Sequence, residues 1–61
     1  MEKIPVGQLV RNRREAIGWS QERLSEGICS VSTLSRIENG ERMPSERVFQ
    51  ALMERLGLED V

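Results

Sequence analysis

Apolar residues recur along this 61-residue chain at three- and four-residue spacing, the mark of amphipathic helices rather than of alternating strands. Val6, Leu9, Val10, Ala16 and Ile17 form the first such stripe. It predicts a helix from about Val6 to Ile17, closed by Gly18 as a left-handed cap. Ser20 then caps a short helix from Gln21 to about Glu26, with Leu24 turned inward. A turn at Gly27-Ile28-Cys29 follows, and Ser30 caps a third helix from Val31 to Glu38. Leu34 and Ile37 face inward there, and Asn39-Gly40 closes the element. A loop from Glu41 to Pro44 leads to a fourth helix, from about Ser45 to Leu56, ended by Gly57. Its Val48, Phe49, Leu52 and Leu56 should face the core. No strand pattern, internal repeat or low-complexity tract interrupts the series, so the expected fold is all-α, a compact bundle of four to five helices forming a single domain over residues 1–61.

Size makes that core a matter of placement. A chain this short buries roughly 60% of its unfolded surface, and its only aromatic residues are Trp19 and Phe49. A core of leucine, isoleucine and valine suits helices better than a β-sandwich. Leu58, apolar and just beyond a helix cap, reads as the entry to a further packed element. The chain is therefore expected to be the amino-terminal part of something longer.

Charge and reactive residues narrow the function by exclusion. Nine basic and ten acidic side chains give a net charge of −1 and a pI near 5.4, which does not announce a polyanion binder. The distribution is uneven, with Lys3, Arg11, Arg13 and Arg14 early and Glu54, Glu59 and Asp60 late, so basic and acidic faces can coexist. The single Cys29 forbids an internal disulfide and suits a reducing, cytoplasmic setting. It is either a redox-sensitive group or a small core residue in the turn. The absence of histidine excludes mixed-ligand zinc sites and histidine acid–base catalysis. Carboxylate pairs such as Glu22 and Glu26 have ordinary helix-surface spacing, and no nucleophile–base arrangement can be assembled. No enzyme, metal or cofactor is expected. Neither a transmembrane run nor a signal peptide is visible.

The third helix carries the most telling chemistry. Between Ser30 and Arg36 lie four hydroxyl side chains, Ser30, Ser32, Thr33 and Ser35, and one arginine, with no acid before Glu38. Serine and threonine are mediocre helix formers, so such a density on one short helix calls for a second use. A helix lying in a DNA major groove supplies one. Hydroxyls can meet bases or phosphates there, Val31 can touch a thymine methyl, and Arg36, on the same side as Ser32, can fork onto guanine. The alternative is a solvated helix with capping hydroxyls. Gln21, opening the preceding helix, could meet a backbone phosphate. Arg42 is a candidate phosphate contact or a solvated loop residue. Arg13 reads chiefly as part of a solvated cationic face. Arg14 could instead pair with Glu38, and Trp19 could either stack on a base or cover the core edge.

These residues resemble a known family. Gly18-Trp19-Ser20-Gln21-Glu22-Arg23-Leu24, followed by Leu34-Ser35-Arg36-Ile37-Glu38-Asn39-Gly40 and Pro44-Ser45, looks like the phage repressor/Cro (XRE-type) helix-turn-helix, over roughly residues 6 to 58. The shortened Glu26-Gly27-Ile28-Cys29-Ser30 run is similar to the Rgg/PlcR-type regulators of Gram-positive bacteria. The resemblance implies a lambda repressor-like DNA-binding domain with its helix-turn-helix at residues 20–40. It implies base reading by Val31, Ser32 and Arg36, with Thr33 beside them, and phosphate contact by Gln21, Ser30, Asn39 and Arg42. It also implies an interhelical ion pair between Arg14 and Glu38, and a parent chain with a helical-repeat domain that senses a signalling peptide. Val31 departs from the polar residue often found at its position. The fifth helix that often joins dimer contacts is missing, although a homodimer remains compatible with the pattern.

The expected function is sequence-specific double-stranded DNA binding within a bacterial transcription regulator. The rival is a protein-interaction module of the same fold, of antitoxin or polymerase-binding type, which the even charge balance would suit. A purely structural bundle would leave the hydroxyl-lined helix unexplained.

Overall fold

The computed structural model describes residues 5–58; Lys3, Glu59, Asp60 and Val61 lie outside the described residues. Four helices follow one another, α1 (Val6–Ala16), α2 (Gln21–Ser25), α3 (Val31–Glu38) and α4 (Glu46–Arg55), and the described residues contain no strand. Serines start three of them: Ser20, Ser30 and Ser45 each accept a hydrogen bond from the backbone N–H three residues on, of Arg23, Thr33 and Val48. Each thereby satisfies a donor that the first helical turn leaves unpaired. α1 and α3 stop where Gly18 and Gly40 enter the left-handed region, at φ 75° and 77°. Behind those glycines, the N–H groups of Trp19 and Glu41 reach back to the carbonyls of Arg14 and Arg36, at 3.0 and 2.8 Å. The glycine N–H groups add bonds to the carbonyls of Glu15 and Ile37, both at 3.1 Å, and the two bonds together fix the exit direction of each helix.

The core is small and aliphatic. Val10, Leu24, Leu34, Leu52, Ile37 and Leu56 are all but completely buried, one or more from every helix. Each side chain of this kind removed from water contributes about 1.5–3 kcal/mol. Val6, Ile17, Trp19, Ile28, Cys29, Val48, Phe49 and Leu58 pack around that cluster as half-buried residues. Trp19 thus covers the core edge, and Cys29 is a packing residue of the turn.

Four expectations need correction. Leu9 is 36% exposed and Ala16 is also at the surface; the packed face of α1 runs instead through Gly7, Val10, Arg14 and Ile17. That face holds a glycine and an arginine, which a search for apolar residues passes over. In α4, Met53 is buried while Val48 and Phe49 remain half-exposed, because the neighbouring helices cover one side of the stripe more fully. Glu26 leaves the helix at φ −53° and ψ 123°, so α2 ends one residue earlier than its pattern suggests. Finally, Arg13 is exposed but not only solvated: its Nε donates to the Leu56 carbonyl at 3.1 Å. Arg55 likewise donates to the carbonyls of Arg23, Leu24 and Glu26. Both cations sit at the carbonyl ends of helices, where the helix dipole favours positive charge.

Gly7 marks the closest approach between α1 and α3. A Cβ built there would stand 2.0 Å from the Ile37 carbonyl oxygen and 3.1 Å from that of Glu38. Both atoms are backbone, so neither can swing aside. Gly7→Ala must push the two helices apart and should destabilise the domain by about 1–3 kcal/mol or more, despite alanine's better helix propensity. A thermal melt that leaves the variant as stable as the wild type would contradict this packing.

Candidate functional site

α3 has one face in the core and one in solvent. Leu34, Ile37 and Glu38 are buried, whereas Val31, Ser32 and Arg36 are exposed, Val31 to 40%. Ser32 and Arg36 lie four residues apart and therefore share the outward side. Ser30, Asn39 and Arg42 are exposed at the two ends of the helix and in the loop beyond it, while Thr33 and Ser35 are half-buried on its flanks. The Ser30 hydroxyl is already engaged, accepting from the Thr33 N–H at 3.0 Å and donating to Thr33 Oγ1 at 2.8 Å. The outward surface is thus short hydroxyls, one apolar side chain and one cation, presented on a helix whose other side is anchored.

The anchor is a buried carboxylate. Glu38 Oε2 accepts from Arg14 Nε at 2.7 Å, and Oε1 accepts from Arg14 Nη2 at 3.0 Å, a two-pronged pair between α1 and α3. The Arg14 and Glu38 side chains are 11% and 2% exposed. Arg14 Nη1 continues to the Trp19 carbonyl at 2.7 Å, tying the start of the α1–α2 connection to the same group. The hydrogen bond to Glu38 raises the Arg14 pKa above its ordinary value, against the opposing pull of burial and with help from the charges of Glu38 and Glu15. Gln21, expected at a phosphate, turns its amide inward: Nε2 donates to Glu38 Oε1 at 3.1 Å. Nothing in the sequence pattern marks that contact, because α2 and α3 come together only in three dimensions.

The arginines separate into two groups. Arg14 is in the buried pair, and Arg13 and Arg55 hold helix-end carbonyls. Arg23 lies over the Trp19 ring at 4.8 Å, a cation–π distance, and Arg11 faces Glu15 at 3.7 Å along α1. Among the described residues, Arg36, Arg42 and Arg47 form no hydrogen bond or ion pair through their guanidinium groups. Arg36 and Arg42 were singled out by the sequence; Arg47, in the first turn of α4, was not. Burial pushes the Cys29 thiol up, while the charge of Arg42 pulls it the other way. The described residues hold no cluster of side chains that could bind a metal ion, and no helix among them is long and apolar enough to cross a membrane.

Comparison with known proteins agrees with this geometry. The family model described as helix-turn-helix matches residues 10–60, well over half of the chain. The chain is 47% identical over 38 residues to the transcriptional activator NprA of Geobacillus stearothermophilus. That match covers 62% of this chain and 9% of NprA, so the chain spans only a small part of its curated relative. No solved structure matches at a significant level.

Removing the cation from the anchor should be costly. Arg14→Met keeps the aliphatic stem but leaves the Glu38 carboxylate buried with Gln21 as its remaining side-chain donor. A loss of about 3–5 kcal/mol is expected, read as a lower midpoint in urea unfolding. An unchanged midpoint would show that the pair does not hold α1 against α3.

Proposed function

Because the chain belongs to the helix-turn-helix family of the repressor/Cro type, a DNA-binding and non-catalytic family, we propose that it recognises specific double-stranded sequences as part of a bacterial transcription regulator. One observation carries this reading: Arg36, with Ser32 and Val31 beside it, stands on the exposed face of a helix whose opposite face is locked into the core. A guanidinium without an internal partner is free to fork onto guanine O6 and N7. In this reading α3 lies in the major groove, with Val31, Ser32, Thr33 and Arg36 toward the base edges. Ser30, Asn39 and Arg42 meet phosphates at either end of the helix, positioning it without reading sequence. Since the Ser30 proton is spent on Thr33, the phosphate at that end meets chiefly the backbone N–H groups of the first turn.

The relative supports a reading of the part played in a whole protein. NprA is a transcriptional activator, and the matched segment occupies 9% of its length, which supports placing this domain within a longer regulator. The similarity of the Glu26–Ser30 turn to Rgg/PlcR-type regulators supports a parent that senses a peptide through a helical-repeat domain. Two copies acting together would read half-sites about one helical turn apart.

The net charge of −1 is compatible with this role. The cations that could neutralise phosphate are few, and acidic residues elsewhere do not remove them from the binding face. Binding of a random duplex should weaken steeply with salt. Arg42→Ala should lower affinity for all duplexes alike and reduce the salt slope by about 1, whereas Arg36→Ala should cost about 1–3 kcal/mol and relax one base position. A selection from random DNA before and after each substitution checks both. If no duplex is bound even at low salt, a protein partner replaces DNA as the ligand of this face.

A further inference from the structure

We infer that Val31 reads a methyl group, so that the preferred duplex carries a 5-methylpyrimidine, thymine or 5-methylcytosine, opposite the start of α3. The inference deepens the proposed function and rests on α3 being the reading helix. Val31 is the first residue of α3 and is 40% exposed, whereas Leu34 and Ile37 of the same helix are buried. Core packing therefore accounts for it only in part. Helix formation does not account for it either, since a β-branched side chain is a poorer helix former than alanine.

What a valine at this place does have is a fixed shape. In a helix one χ1 rotamer dominates, so its two methyl groups are held in place before any ligand arrives. The first turn of the second helix is the part of a helix-turn-helix that meets base edges. Hydrogen-bonding capacity around Val31 is partly spent: Ser30 gives its proton to Thr33 Oγ1 and accepts from the Thr33 N–H. Ser32 and Arg36 form the polar row of the outward face, beside Val31 and not in line with it. An isopropyl group set against donors and acceptors strips them of water and returns no hydrogen bond. Against a C5-methyl it instead removes two apolar surfaces from water. In the major groove that methyl distinguishes thymine, and 5-methylcytosine presents the same group on the same ring carbon. Val31 thus responds to the methyl and not to the base that bears it.

The test removes one methyl at a time. A preferred duplex is selected from random DNA with the 61-residue chain. Each thymine is then replaced in turn by deoxyuridine, which differs only in lacking the methyl. The wild type should lose about fourfold in affinity at one thymine position, the worth of one buried methyl. Val31→Ala changes an exposed site to a better helix former, so it should keep the wild-type circular dichroism. It should bind the thymine and deoxyuridine duplexes equally at that position. Cytosine placed there should weaken wild-type binding, and 5-methylcytosine should recover about the same fourfold. No loss at any thymine, or losses that persist unchanged in Val31→Ala, would overturn the inference and leave the reading of α3 standing. So would 5-methylcytosine that binds no better than cytosine. A wild-type chain that binds no duplex, or binds all alike, would overturn the reading of α3 and this inference with it.

Discussion

The Arg14–Glu38 pair is the contact on which the arrangement of the first three helices depends. Glu38 is a charge in the interior of a domain with little interior to spare, and an unpaired carboxylate there would be prohibitive. Arg14 answers it with two hydrogen bonds and uses a third to hold the Trp19 carbonyl. Gln21 adds a fourth from α2. Such a pair is weak as a source of net stability, because desolvation offsets most of its attraction. Its effect is geometric. A carboxylate with donors from α1 and α2 leaves α3 one orientation, and Gly7 allows α1 to approach closely enough for the pair to form.

Charge in this domain is divided between holding the fold and facing outward. Arginines at residues 13, 14 and 55 are spent on carbonyls and a carboxylate, and Arg23 rests on Trp19. Those at 36, 42 and 47 have no such engagement among the described residues. A count of charges cannot distinguish these uses, which is why a net charge of −1 says little about an affinity for DNA. An arginine bonded to a helix-end carbonyl keeps its charge but has fewer donors left to meet a phosphate directly, and Ser30 has no proton left to offer once it is committed to Thr33.

The helix pattern was largely legible in the sequence. Ser20, Ser30 and Ser45 announced three helix starts, and Gly18, Gly40 and Gly57 announced three ends, because caps are local chemistry that needs no tertiary partner. The motif Leu34-Ser35-Arg36-Ile37-Glu38-Asn39-Gly40 identified the family that the comparison then showed. The inward face of α1 was not legible in full. Its packed positions include Gly7 and Arg14, residues that no hydrophobic scale marks as interior. Met53 was passed over because burial of a residue at the edge of an apolar stripe depends on which neighbour covers it.

By itself, then, the sequence determined the helices, their limits to within a residue or so, and the exposed chemistry of α3, since spacing, caps and side-chain type are all properties of the local chain. The tertiary structure alone decided which cations remain free, that Gln21 turns toward Glu38, and that α1 and α3 meet at Gly7. Those outcomes join residues far apart along the chain, Gln21 with Glu38 and Arg13 with Leu56. A hydrogen bond forms only where folding has already brought donor and acceptor within reach and removed the water that would otherwise satisfy both.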